Sequence, residues 1–523
     1  MKRLLAILLA LTLSLGATAQ STATETQAKA DPSQQLQKLV QFYRYLVGFY
    51  IDEVDSGKLV EDAIVKVLSE LDPHSTYIDA EEMTGVREDF DGSFSGIGVE
   101  FRVMDDTVRI VNTIAGGPSA DVGILPNDRI VKVNGESIVG VKQTEVPKLL
   151  RGKEGTKVDI EVVRHGVAEP LGFTIVRRQI PINSVDAAYM ITPKTAYIKV
   201  NRFARKTMDE FVEAMDKMPN AKQVLLDLRS NSGGLIEPSI EMAGYFLPKD
   251  REVVSTEGRV IPKESYKARK GGVFTRGEVI VLIDEFSASA SEIVSGALQD
   301  WDRATIIGRP SFGKGLVQRQ IPMVDGSAVR LTVARYHTPT GRVIQRPFEN
   351  GKREEYYANL TKRLSEELPL DSATLDSLPK YRTLIKGRTV YGGGGIMPDI
   401  IVKSDTSDYS NYWAELSRRG ILAEFVVDYL DMHRSELESQ FSTDDQFVEE
   451  FEVGDEMIES LVVFAEGRGI ARNDEELAIS RRSIAEITKA LIAQRLWDST
   501  AYFKVVNRTN NIVKRALETL SVK

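Results

Sequence analysis

The chain has 523 residues, too many for one hydrophobic core, so about three or four domains are expected. A formal net charge of −9 and the lack of any basic arm exclude a nucleic-acid binder. With no cysteine, disulfides and thiol chemistry are excluded, four scattered histidines argue against a catalytic zinc site, and no metal or other cofactor is expected.

Residues 1–19 have the form of a secretory signal. Lys2 and Arg3 precede an apolar run from Leu4 to Leu15, and Ala17-Thr18-Ala19 is a small-residue cleavage site. The run is short for a membrane span of ~20 residues. The expectation is an exported, periplasmic protein without a stable membrane anchor, with secretion or retention at the cell envelope as variants. Residues 20–33 are small and polar and are expected to be a disordered lead-in.

Residues 34–90 are expected to form an N-terminal helical region. Leu36, Leu39, Val40, Tyr43, Leu46, Val47 and Tyr50 recur at helical spacing, and so do Leu59, Ala63, Ile64, Val67, Leu68 and Leu71 after a break at Gly57. Asp72-Pro73-His74-Ser75 ends the second helix, because proline cannot continue it. His74 reads as structural.

Residues 91–179 carry three ordered landmarks. Gly96-Ile97-Gly98-Val99 opens a strand, Ala115-Gly116-Gly117-Pro118 follows, and then comes Asp128-Arg129-Ile130-Val131-Lys132-Val133-Asn134-Gly135. The set resembles a PDZ domain. The resemblance implies a β-sandwich-like module that takes a peptide as an added strand, with backbone N–H groups of the Gly96, Ile97, Gly98 and Val99 loop holding its terminal carboxylate.

Residues 180–403 read as an α/β core. Thr195–Val200 alternates as a strand, and Val224-Leu225-Leu226-Asp227-Leu228-Arg229 is a buried strand ending in Ser230-Asn231-Ser232-Gly233-Gly234. Asp227 and Arg229 suit an internal ion pair. Val279–Ile283 is a continuous Val/Ile-rich run, as a central strand requires. A small-residue turn and a helical pattern on Ile293, Val294, Ala297 and Leu298 follow it. Such a strand–turn–helix junction exposes a side chain beside unpaired helix N–H groups. Ser287, Ser289 and Ser291 all occupy the turn, and each would need a base. No histidine lies in a stretch that suits that role. Lys314, between Gly313 and Gly315, does: burial among apolar walls lowers a lysine pKa from its usual ~10.4 by up to several units, and a neutral amine can take a serine proton. Gly308-x-x-x-x-Gly313-Lys314 nearly spells a phosphate-binding loop. That motif wants Ser or Thr next and then a helix, whereas Gly315 and a strand-like run follow.

These motifs resemble the C-terminal-processing (tail-specific) family of serine peptidases. The resemblance rests on Ser287-Ala288-Ser289-Ala290-Ser291-Glu292-Ile293, on Gly308–Gly315, on Asp227-Leu228-Arg229-x-Asn231-x-Gly233-Gly234, on Leu71-Asp72-Pro73-His74-Ser75, and on the closing Gly394-Gly395-Ile396-x-Pro398-Asp399. It covers roughly residues 35–403. It implies a crotonase-like/ClpP-like core using a Ser/Lys dyad, with Ser289 as nucleophile, Lys314 as base 25 residues later, and Gln318 orienting the lysine. The oxyanion hole is expected from the backbone N–H of Gly233 or Gly234 and that of Ala290. Ser287 and Ser291 are then turn and capping residues.

Residues 404–523 are helical in period and expected to form an appended domain outside the shared core, and the charged stretch 350–385 reads as an insertion. The whole is thus an α+β multidomain protein: N-terminal helices, a PDZ domain inserted before the protease core, and a C-terminal helical domain. The expected function is an exported serine endopeptidase that binds C-terminal tails and cleaves through an acyl-enzyme. The competing reading is a non-catalytic PDZ scaffold of the envelope. Expected partners are protein or peptide substrates with accessible C-termini and a second copy of the chain in a homo-oligomer, with room for an adaptor protein.

Overall fold

The computed structural model describes residues 31–114, 116–269, 271–365 and 377–521, with side chains through 359 in the third of these stretches. The signal segment and most of the lead-in, Ala115 of the PDZ landmark and part of the 350–385 insertion lie outside the described residues.

Two helices lead the chain, α1 (Pro32–Phe49) and α2 (Ser56–Ser69). Asp31 caps α1 by accepting the N–H of Ser33, and no residue of α1 is buried. Leu36, Leu39, Phe42 and Phe49 stand exposed on it.

Asp72-Pro73-His74-Ser75 is followed by a strand, β1 (Thr76–Ile78), then α3 (Ala80–Asp91) and β2 (Ser93–Gly96). The PDZ module follows. Its strands are β3 (Val99–Met104), β4 (Thr107–Thr113), β5 (Arg129–Val133), β6 (Glu136–Ser137), β7 (Lys157–Val163) and β8 (Leu171–Val176), with short helices α4 (Pro118–Asp121) and α5 (Val146–Leu150). They form an antiparallel sheet in the order β3-β4-β5-β7-β8, with β6 on β5. Ile97, Ile110, Ile130, Val146, Ile160 and Ile175 fill its core. β3 is an edge strand, and the Gln143 side chain accepts the N–H of Val103 at 2.7 Å and donates to the carbonyl of Phe101 at 3.4 Å, so a strand added at this edge would have to displace that side chain. The module is closed off by β9 (Arg178–Pro181), which pairs with β2.

The core contains β10 (Val185–Thr192), β11 (Thr195–Val200), α6 (Thr207–Asp216), β12 (Gln223–Asp227), α7 (Ile236–Phe246), β13 (Glu252–Glu257), β14 (Glu264–Lys267), β15 (Glu278–Ile283), α8 (Ala290–Asp300), β16 (Thr305–Gly308), β17 (Leu316–Pro322), β18 (Ala328–His337), α9 (Arg353–Ser365), β19 (Lys380–Arg382), β20 (Thr389–Tyr391) and β21 (Ile400–Ile401). The central sheet runs β10-β11-β12-β15-β16-β21, parallel except for β10. Both faces are covered, which explains the unbroken apolar run of β15. Val279, Val281 and Ile283 face a cluster that includes Phe211 of α6, Phe246 of α7 and Ile293 of α8.

The opposite face corrects the expectation of a wholly appended C-terminal domain. Residues 411–521 form α10 (Asn411–Arg418), α11 (Ile421–Gln440), α12 (Asp444–Glu450), α13 (Asp455–Gly467), α14 (Asp474–Leu496), α15 (Ser499–Val506) and α16 (Asn511–Ser521). Most of these share a core of their own. However, Ile512, Val513, Ala516 and Leu520 of α16 pack on Tyr197, Leu225, Ile280, Leu282 and Ile307. A parallel sheet with one bare apolar face is unstable in water, and α16 is what covers it. The helical region also meets the PDZ module through the ion pairs Arg109–Asp428, Arg495–Glu100 and Arg468–Asp105.

A second correction concerns the N-terminal region. The PDZ module precedes the core in sequence, but β1 already belongs to the second core sheet, ordered β1-β18-β13-β14 with β17 on β18. The module therefore interrupts the core, and residues 72–92 are not simply the end of a helical region.

Candidate active site

β15 delivers the chain into the turn Asp284–Ala288. The Asp284 carboxylate accepts N–H bonds from Ser230, Phe286 and Ser287, which ties this turn to the end of β12. Ser287 Oγ donates to the carbonyl of Leu228 at 2.8 Å, and Ser291 Oγ to that of Asn231 at 2.8 Å. Both serines are fully buried; Ser287 lies in the turn as expected, whereas Ser291 sits inside α8 and the N-cap is Ser289. Ser289 differs. It is the N-cap of α8 with φ 54° and ψ −111°, a conformation costly for any residue with a side chain. It is only partly buried and lines an ≈ 860 Å³ cleft. A strained strand-to-helix turn is the usual way to present a serine hydroxyl above a sheet.

Lys314 and Gln318 line the same cleft. The lysine amine donates to Gln318 Oε1 at 2.8 Å, and Gln318 Nε2 donates to the backbone carbonyl of His74 at 2.5 Å. That carbonyl belongs to a tightly wired turn. Asp72 accepts the N–H groups of His74 and Ser75 and the hydroxyls of Ser75 and Thr332. Burial pushes the Lys314 amine down to about 8, and the neighbouring Arg330 adds to the effect. Burial likewise lowers the His74 imidazole to about 4, with Lys314 contributing, so His74 is neutral at pH 7. Among the described residues Ser289 Oγ makes no hydrogen bond to Lys314 Nζ. The two groups share the cleft, and the amine is held by Gln318.

The glycine-rich turn lies against the serine. A Cβ on Gly233 would stand 2.8 Å from Ser289 Cβ and 3.0 Å from the nitrogen of Ala290, at φ 104°. The N–H of Gly233, expected as a possible oxyanion donor, is occupied by the side-chain oxygen of Asn231 at 2.9 Å. This corrects its role from donor to close-approach residue. The N–H groups of Gly234 and Ala290 have no acceptor among the described residues, and Gly234 lines the cleft. Gly233→Ala is expected to lower kcat by roughly 100-fold, the scale of losing an oxyanion contact, because the new methyl would displace Ser289. Steady-state kinetics beside a thermal melt would check this.

Three residues outside the expected set hold the site together. Glu292 is fully buried, and its carboxylate accepts from the N–H of Ser289 (2.8 Å), Lys314 (2.9 Å) and Gly313 (2.8 Å) and the hydroxyl of Ser311 (2.5 Å). One side chain thus fixes both the serine turn and the lysine loop. Burial raises its pKa, and these bonds offset part of that rise. Its sequence signal was the Ser-x-x-Glu spacing of a helix N-cap. Asn231 joins the glycine turn to the serine turn through its own carbonyl, which accepts the N–H of Ala288. Tyr336 donates toward the carbonyls of Lys314 (2.7 Å) and Ser289 (3.2 Å). A tyrosine near the end of a strand gave no such signal. Asp227 forms the expected ion pair with Arg229 at 2.5 Å. Burial opposes its charge, but Arg229 and Lys199 hold its carboxyl well below the usual range.

In the PDZ module, Gly96 ends β2 paired with Arg178, and Ile97 enters the module core. Gly98 adopts φ 72° beside Ile180 and Pro118, and Val99 opens the edge strand β3. The four residues form one continuous turn into that edge.

Residues 194–350 match peptidase family S41, and residues 95–172 match the PDZ domain. Residues 10–82 match an activating protease CtpB N-terminal domain, and residues 412–498 match a family of unknown function. The chain is 38% identical over 345 residues to the carboxy-terminal-processing protease of Bartonella bacilliformis, covering 64% of this chain and 78% of that protein. It is 34% identical over 389 residues to the carboxy-terminal processing protease CtpA of Bacillus subtilis, covering 74% and 80%. Against CtpB of the same organism the figures are 32% over 382 residues, 70% and 78%.

Proposed function

The chain belongs to peptidase family S41 as a PDZ-containing serine-type peptidase of the carboxy-terminal-processing kind, and on that premise we propose that it is an exported endopeptidase that recognises C-terminal tails through its PDZ module and hydrolyses peptide bonds with a Ser289/Lys314 dyad. The observation that carries this reading is the convergence in one cleft of a strained N-cap serine and a half-buried lysine whose amine is held by Gln318.

In the proposed mechanism neutral Lys314 takes the hydroxyl proton of Ser289 as Oγ attacks the peptide carbonyl. The oxyanion is received by the N–H groups of Gly234 and Ala290. Lys314 then gives its proton to the departing amine, leaving an ester on Ser289. Water attacks the ester, Lys314 takes a proton from it, and Ser289 leaves with that proton. Gln318 keeps the amine aimed through the cycle, itself anchored on the His74 carbonyl. The PDZ module offers the edge of β3 and the Gly96–Val99 turn to the tail of the substrate.

The proposed division is PDZ at 91–179, protease core at 180–403 and helical domain at 404–523, with β1 and α16 belonging physically to the core. Export to the periplasm rests on the signal-like residues 1–19. No described helix is long and apolar enough to cross a membrane. A homo-oligomer is supported by the exposed apolar residues of α1, and an adaptor remains compatible with the helical domain. The test is cleavage of an unfolded reporter ending in an apolar tail, with a free or an amidated C-terminus. Faster cleavage of the free tail is expected. Equal rates would remove the tail-reading role, and no cleavage of either would remove the peptidase.

A further inference from the structure

Arg330 lies on β18 opposite Gln320 of β17 and Thr76 of β1. Opposed residues in an antiparallel pair, and residues two apart in a strand, share one sheet face. Arg330, Gln320 and Gln318 therefore share a face, and all three line the cleft that holds Ser289 and Lys314. Arg330 is the diagonal cross-strand neighbour of Gln318, the side chain that holds the lysine amine.

Two other half-buried arginines of the core are satisfied: Arg309 pairs with Glu285, and Arg303 donates to the carbonyls of Phe246 and Phe274. Arg330 is half-buried with no carboxylate or carbonyl partner among the described residues, and burial alone acts on its charge. Two carboxylates line the cleft: Asp89 is paired with Arg202 at 3.1 Å, and Glu237 makes no ion pair with Arg330 among the described residues. A peptide entering the cleft strips water from this cation. That is costly unless the peptide supplies an anion, and a guanidinium matches a carboxylate with two parallel bonds.

We propose that Arg330 is a carboxylate-binding subsite within the catalytic cleft, selecting peptides that carry a carboxylate close to the scissile bond. It rests on the peptidase function proposed above and is distinct from tail capture by the PDZ module. The carboxylate has two sources, the terminal α-carboxylate of a short departing tail or an Asp or Glu side chain beside the bond.

The test uses the full chain and peptides sharing one scissile bond whose cleavage requires Ser289, each with a terminal carboxylate or amide and with Asp or Asn beside the bond. The wild-type chain is expected to favour one carboxylate form by roughly ten- to a hundred-fold in kcat/KM, mainly through KM. Arg330→Gln should abolish most of that preference, and Arg330→Lys should keep part of it. The PDZ module is intact in all chains, so a change in the ratio belongs to the cleft, and the pair of peptides that converges identifies the source. Unchanged ratios in Arg330→Gln overturn the proposal. An equal loss on every peptide also overturns it, since that is the signature of a structural or purely electrostatic role. No cleavage by the wild-type chain would overturn the peptidase reading and this subsite with it.

Discussion

Replacing Lys314 with alanine, or Ser289 with alanine, is expected to lower kcat at least ~10⁴-fold, the scale seen when a member of a catalytic serine unit is removed. The pH dependence separates this from a structural effect. Lys314 acts only when neutral, and burial and Arg330 bring its pKa down to about 8. In the wild-type chain kcat/KM should therefore rise with pH, level above about 8, and fall ~10-fold per unit below it. A Lys314→Arg chain should be inactive throughout, because a guanidinium keeps its proton in a protein. Stability should also rise with pH, but over a higher window. The unfolded chain holds the lysine proton up to ~10.4 and the folded chain releases it near 8, so the wild-type protein gains stability as pH rises across that window. Below it the buried charge costs roughly 3 kcal/mol. Lys314→Met is thus expected to be inactive but more stable than wild type at pH 7, by roughly 1–3 kcal/mol in urea unfolding. A loss of both activity and stability would mean that Lys314 is a structural residue.

Glu292→Ala is expected to remove both activity and at least ~4 kcal/mol of stability. The wild-type carboxylate serves three backbone N–H groups and one hydroxyl, all away from bulk water. Each donor left without an acceptor costs ~1–3 kcal/mol, and a fully buried side chain is lost as well. Because that variant unfolds so readily, Glu292→Gln is the decisive one. It keeps the shape but turns one acceptor into a donor facing donors. It should fold with a lower urea midpoint and lose ~100-fold or more in kcat with little change in KM, since the Ser289 and Lys314 loops lose their common anchor while the cleft walls stay. Wild-type kcat in Glu292→Gln would show that the two loops are held without the carboxylate.

These two residues also mark what a sequence shows. Lys314 stood out because a lysine between glycines after a strand has few structural uses, and its motif resembled a known family. Glu292 sat inside the same motif without a role assigned to it, and only the fold shows it buried against the Gly313–Lys314 backbone. The choice between Gly233 and Gly234 was open in the sequence because both provide an N–H without a side chain. It is the Asn231 side chain, positioned by tertiary structure, that occupies one of them. Arg330 was invisible for a related reason, since a cation's lack of a partner is a property of its surroundings.

The sequence by itself determined the elements whose signals are local. These are the PDZ landmarks, whose glycines answer to turn geometry; the apolar β15 run, whose composition answers to burial on both faces; and the serine and lysine motifs. Tertiary structure alone decided the assembly. β1 joins a sheet whose other strands lie beyond the PDZ module, and α16 returns from the end of the chain to cover the second face of the central sheet. Strand pairing and face burial join residues hundreds of positions apart. A three-residue strand or an amphipathic helix carries no mark of the partner it will find, so these placements come from the free energy of the whole core.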